Sequence, residues 1–227
     1  MSAITPAADD DGPLRAADGR VPGRRGRATR QRLLERTAEM LEASLYRDLK
    51  VVDIARGAGT SPATFYQYFP DVESAILVLA EETAAEGSAV LVALVRDGAW
   101  KGRSAYPTSL ELVDGFMDVW ERHRSVLRVV EIATEEGDQR FRKTRTLLLN
   151  PLTNALAEQI TASAAAGRHP ADLDPMASAG VLVSMLAHVA AHRYGFEFWG
   201  IRSDDLRRSM ARIILTTVTS QKPPAEG

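Results

Sequence analysis

The run from Ser61 to Phe69 carries hydroxyl, amide and phenol groups whose chemistry is recognition rather than catalysis. Phe65 and Phe69 stand four apart, so on a helix they share one face and anchor it by burial. Ser61, Ala63, Thr64, Tyr66, Gln67 and Tyr68 are then left on the outward side. These types suit the major groove of DNA. A glutamine amide pairs bidentately with adenine, threonine and alanine touch a thymine methyl, and tyrosine hydroxyls reach phosphate. The competing reading, plain aromatic core, is accepted for Phe65 and Phe69. For Tyr66 and Tyr68, which carry hydroxyls and flank Gln67, the groove-facing reading is preferred.

Other chemistries find little support. There are no cysteines, which excludes disulfides, thiol catalysis and cysteine metal sites. His188 and His192 have the i, i+4 spacing of a metal pair, but Val189 stands where a metalloprotease needs glutamate. They read instead as polar groups of an interface or pocket. Glu135, Glu136 and Asp138 cluster beside Gly137, where a solvated junction is the simpler reading. Gly57-x-Gly59 lacks the further glycine and lysine of a phosphate loop. No catalytic residue, metal or cofactor is expected.

Charge sharpens the picture. The chain of 227 residues has a formal net charge of only -2, yet from Pro13 to Arg36 eight arginines face only Asp18 and Glu35. The first 26 residues hold seven glycines and prolines, so residues 1–26 are expected to form a disordered basic arm.

The elements that must position these groups are helices. Apolar residues recur at three- and four-residue steps from about Ala28 to Ser44. A short helix from Val51 to Arg56 follows, then the break Gly57-Ala58-Gly59-Thr60, where glycine can take a left-handed backbone. Ser61 as N-cap and Pro62 in the first turn start a helix running to Phe69. A fourth helix is expected from Asp71 to Asp97, and Gly98 to Pro107 reads as a loop. Further helices are expected near Thr108–Glu121, Ser125–Glu135, Asp138–Ala166, Asp174–Trp199 and Ser203–Ser220. The predicted fold is all-α with about nine helices. It divides into a helix–turn–helix head at 27–70, a helical bundle at 71–221 and a flexible tail at 222–227. A hydrophobic content of 45% is that of a globular domain, and no run of about 18 apolar residues argues for a membrane span. With no signal-peptide pattern at the N-terminus, a cytoplasmic location is expected.

Short helix, glycine turn, aromatic second helix, preceding amphipathic helix and basic arm together resemble the TetR family of transcriptional regulators. The stretch from about Thr29 to Leu79, including VVDIARGAGTSPATFYQYFPDVESAI, follows the family's N-terminal pattern without a gap. The resemblance implies that Thr64, Tyr66 and Tyr68 fall on DNA-contacting positions and Gln67 on a position that can read bases; Thr60, Ser61 and Ala63 are expected to join them in the DNA surface. This chain departs from the pattern at Leu45, Leu49 and Val72, where the family often has glycine, threonine and lysine. Arg47, Lys50, Arg56 and the arginines 24, 25, 27 and 30 would then carry the phosphate contacts.

Beyond Thr108 the chain is rich in aromatics and methionine. Phe116, Trp120, Leu127, Phe141, Leu148, Met185 and His188 could line a mostly apolar pocket with a few polar groups. Pro151 would bow the long helix beside it. A filled core with a kink is the equal alternative from the residues alone; the resemblance implies a cavity for a small apolar ligand. On the last two helices Val181, Met185, His188, Val189 and His192, and Leu206, Met210, Ile213, Ile214 and Val218, form faces that the resemblance implies are a homodimer surface. The function expected is a ligand-responsive repressor that leaves a palindromic double-stranded operator when it binds a small apolar ligand. The alternative is a small helical enzyme or lipid carrier whose helix–turn–helix is structural.

Overall fold

Several helix starts fall where the sequence supplies a capping side chain. The computed structural model describes residues 23–224. Its helices are α1 (Arg24–Ala43), α2 (Val51–Gly57), α3 (Pro62–Tyr68), α4 (Val72–Arg96), α5 (Ala105–Arg122), α6 (Arg124–Glu135), α7 (Gln139–Ala165), α8 (Pro175–Phe198) and α9 (Ser203–Thr219). Single 3-10 turns stand at Tyr46–Asp48 and Gly102–Ser104, and there is no strand among the described residues. Side chains of Ser61, Asp138 and Asp174 accept first-turn N–H bonds, satisfying donors that a helix start leaves unpaired. Contacts divide the chain into one unit up to Ile76 and a second from Leu77 onward, with α4 continuing across the boundary.

Two starts differ from the sequence reading. α1 begins at Arg24, four residues before the expected Ala28. Arginine is a strong helix former, and Gly26 alone costs only about 1 kcal/mol. Residues 24–26 of the expected arm therefore belong to the helix and Gly23 is its N-cap; residues 1–22 of the arm lie outside the described residues, as do 225–227 of the expected tail. α5 begins at Ala105, inside the expected loop, with Pro107 in its first turn. Proline is tolerated there because a first-turn N–H has no intrahelical partner to lose.

In the second unit α5 packs on α9 and α7 on α8. Leu112, Leu152, Leu156, Ile160, Leu182 and Ile214 are fully enclosed at their centre. The approach of α4 to α5 is close: a Cβ on Gly115 would meet Leu94 Cδ1 at 2.3 Å. α7 runs through Pro151 without interruption. α8 is, among the described residues, the one helix long and apolar enough by composition to cross a membrane, although no uninterrupted apolar run announces it. It is rich in alanine, and its Leu182, Val183, Leu186, Ala187 and Ala190 sit in the core of this unit, so it is built as a bundle helix.

Candidate nucleic-acid interface and effector region

The first unit positions α3 through the turn that precedes it. The Thr60 N–H donates to the Ala55 carbonyl at 2.9 Å and the Gly59 N–H to Arg56 at 3.1 Å, with Gly59 at φ 69°. This is the paired bonding of a Schellman helix end, and it needs a residue at ease in the left-handed region. The Arg32 Nε of α1 donates to the Ala58 carbonyl at 3.4 Å, tying the turn to α1. Ser61 Oγ accepts the Thr64 N–H at 3.2 Å and lies 3.1 Å from Thr64 Oγ1, so α3 starts in a fixed direction.

Phe65 and Phe69 are buried, their rings 5.5 Å apart. Opposite them the predicted recognition residues spread outward. Ser61, Ala63, Tyr66 and Gln67 are exposed, Tyr66 by 53%, while Thr60, Thr64 and Tyr68 are half-buried. The Tyr66 ring meets Phe65 edge-on at 5.8 Å, which steadies it while the residue as a whole stays exposed. Arg47 and Lys50 are exposed ahead of α2, with the Arg47 guanidinium 5.4 Å over the Tyr46 ring. One capped seven-residue helix thus offers hydroxyl, amide and phenol groups on one side, held by two phenylalanines on the other.

The proposed phosphate cations divide. Arg24, Arg25 and Arg27 are exposed on α1. Arg30 places its guanidinium 5.3 Å over the Phe69 ring, a cation–π contact that fastens the aromatic anchor and that spacing alone did not reveal. Arg56 lies 3.4 Å from Asp53.

The predicted effector residues lie in the second unit. Phe116, Trp120, Leu127 and Leu148 are buried in its main core, Phe141 is buried, and Met185 is half-buried against that core. His188 is not brought to them. It is exposed and stacks on His192 at 4.3 Å. Since a carbonyl only accepts, His192 Nδ1 is the donor in its 3.0 Å bond to the His188 carbonyl. Among the described residues no group of three metal-ligating side chains comes together.

Among the described residues, cavities open beside Tyr106, beside Trp100 and beside Met117, and none of the seven predicted residues lines any of these. The first, about 580 Å³, lies between the start of α5 and the segment after α9. Nothing in the sequence announces it, because Gly102, Arg103 and Tyr106 fall within the expected loop from Gly98 to Pro107.

The faces assigned to the last two helices also separate. Val181, His188, His192 and Ile213 are exposed. Val189, Met210, Ile214 and Val218 are buried in the protein's own core, because α9 turns its apolar side toward α5 and α8.

A capped recognition-type helix after a tight turn in one unit, and a purely helical second unit with an aromatic core, define a helix–turn–helix regulator. Residues 91–225 match the family model described as tetracyclin repressor-like, C-terminal domain, and the chain belongs to the TetR family of transcriptional regulators. It is 31% identical over 117 residues, 51% of its length, to the HTH-type transcriptional regulator EthR of Mycobacterium tuberculosis (strain ATCC 25618 / H37Rv). The match takes in 53% of EthR, so the chain spans about half the length of the curated relatives it matches. Its fold is that of FadR from Bacillus subtilis, solved with stearoyl-CoA, at a TM-score of 0.62, 14% identity, and coverage of 83% of this chain and 98% of that one. The fatty acid degradation regulator FadR from Bacillus halodurans is similar at a TM-score of 0.61, 15% identity, and coverage of 86% and 97%.

Proposed function

We propose that the protein is a DNA-binding repressor that reads a palindromic operator through α3, acts in the cytoplasm as a homodimer, and is released by a small apolar ligand. The observation that carries this reading is α3 itself. Tyr66 and Gln67 are exposed on a helix whose Phe65 is wholly buried and whose start is capped by Ser61. A merely structural corner has no use for an exposed phenol and amide backed by so firm an anchor. Thr60, Ser61, Ala63, Thr64, Tyr68, Arg47 and Lys50 complete the proposed DNA surface.

The ligand site is assigned to the aromatic core around Phe116, Trp120, Leu127, Phe141, Leu148 and Met185, with His188 left as a surface group. FadR of Bacillus subtilis was solved in complex with stearoyl-CoA, a molecule with a long apolar part, and this supports an apolar class here. The proposed homodimer uses the exposed stripe Val181, His188 and His192 of α8 with Ile213 of α9.

The test is selection of bound sequences from randomised duplex DNA. Wild-type protein is expected to enrich an inverted repeat, and Gln67→Ala to relax one or two positions, losing about 1–3 kcal/mol of discrimination. No enrichment by the wild type would overturn the reading; an unchanged profile in Gln67→Ala would remove that residue from base readout.

A further inference from the structure

We infer that the second unit carries an anion-selective site for a small amphipathic carboxylate, built between the start of α5 and the segment after α9, and separate from the aromatic core. The cavity there measures about 580 Å³. That lies within the range of about 300–1,000 Å³ in which small-molecule sites fall.

Its walls are apolar and its mouth is cationic. Tyr106, Pro107, Leu215 and Pro224 supply flat or aliphatic surface, while Arg103 and Lys222 stand exposed beside them. Leu215 is buried, so the floor is part of the packed unit rather than a surface dimple. Among the described residues no carboxylate lines the cavity, and neither cation has an ion-pair partner. Two such charges above an apolar recess match a molecule with an anionic head and an apolar body. A neutral body of the same shape would leave both cations unused.

The wall formed by the segment after α9 is positioned. Ser220 takes a left-handed backbone at φ 58°, the one non-glycine residue to do so among the described residues. Its N–H donates to the Thr216 carbonyl at 2.9 Å, and the Gln221 N–H donates to Thr219 Oγ1 at 3.2 Å. A residue in this conformation persists where its surroundings hold it. These bonds turn the chain after α9, and Gln221, Lys222 and Pro224 then face Arg103 and Tyr106 across the cavity.

The site is tested with full-length protein and the matched probes 2-naphthoate and 2-naphthamide, which share shape and differ in charge. Calorimetry is expected to give a naphthoate affinity about tenfold above that of the amide, falling with added salt because exposed cations are screened. The Arg103→Gln/Lys222→Gln variant is expected to bring naphthoate down to the amide's affinity with an unchanged melting temperature. Tyr106→Ala is expected to weaken both probes. Equal affinity for the two probes, no naphthoate binding up to about 1 mM, or naphthoate binding unaltered in the double cation variant overturns the inference. So does binding that is lost in Trp120→Phe and retained in the double variant, which assigns the probe to the core. The inference is independent of the DNA-binding reading, whose failure appears in DNA selection and leaves these titrations unchanged.

Discussion

The backbone N–H of Thr60 reaches back to the carbonyl of Ala55 at 2.9 Å, and this one bond sets where α3 begins relative to α2. It closes only if Gly59 holds φ 69°, although a Cβ there would touch nothing within 4 Å. Space is therefore not the constraint; backbone conformation is. Gly59→Ala is expected to cost about 1–2 kcal/mol of stability, and Gly59→Asn clearly less, since asparagine visits the left-handed region more readily. Urea midpoints measure both. Equal costs would show that something other than the backbone angle governs this turn.

How far the sequence carried depended on whether a signal was local. The cap Ser61-Pro62, the turn glycine and the Phe65–Phe69 spacing are properties of neighbouring residues, and α3 could be placed from them to within a residue. Which side of α9 meets its neighbours is not local. Met210, Ile214 and Val218 form an apolar stripe that serves an internal core and an external interface equally well until α5 and α8 are in place. His188 lies outside the buried aromatic cluster for the same reason: a turn of α8 has several apolar directions, and alanines mark none of them as inward. The cavity beside Tyr106 joins residues more than 100 positions apart, and no spacing rule reaches that far.

The start of α1 redistributes the proposed phosphate contacts. Residues 1–22 contain only Arg15 and Arg20, whereas Arg24, Arg25 and Arg27 stand exposed on α1. Each phosphate neutralised adds about 0.9 to the slope of log affinity against log salt. Deleting residues 1–22 is expected to reduce the slope by at most about 1.8, and Arg24→Gln/Arg25→Gln/Arg27→Gln by up to about 2.7. Fluorescence anisotropy across a salt series reads both. A larger loss from the deletion than from the triple change would place the contacts in the arm, and no loss from either would remove both from the DNA surface.

His123, between α5 and α6, gives the second unit a pH-dependent stability. Its Nδ1 lies 3.5 Å from Thr83 Oγ1 and its Nε2 3.9 Å from Glu86 Oε2, with no hydrogen-bond partner at Nε2. Burial lowers its pKa below the usual histidine value of 6.5; Glu86 opposes this and Arg122 adds to it. The folded state therefore binds its proton later than the unfolded chain as pH falls. The full contribution is present above 6.5 and is lost as pH drops through the lowered folded value. His123→Gln is expected to flatten stability between about pH 7.5 and about pH 5 relative to wild type. A parallel loss in both proteins would assign the acid sensitivity to other groups.

If the proposed mechanism holds, α4, which runs across the boundary between the two units, is a route by which ligand and DNA can be coupled. It is a single helix from Val72 to Arg96, with Ile76 buried near its start and Leu91 and Val95 buried near its end. A ligand moves an equilibrium only by its differential affinity for the two states, so a hundredfold loss of DNA binding requires about 2.7 kcal/mol of coupling. Trp120 is a poor probe of that coupling when cut to alanine, because a core truncation of this size costs about 3–5 kcal/mol by itself. Softening the connecting helix is cleaner. Ala85 and Ala89 are exposed on α4, and glycine at each costs about 1 kcal/mol of local helix stability without touching the core or the reading head. With 1-decanol as a first apolar probe bearing one polar group, wild type is expected to lose DNA affinity on adding the probe. Ala85→Gly/Ala89→Gly is expected to keep probe-free DNA affinity within about threefold and to lose about tenfold of the response, or about 1.4 kcal/mol of coupling. A full response in the softened variant would show that the signal does not travel through the middle of α4.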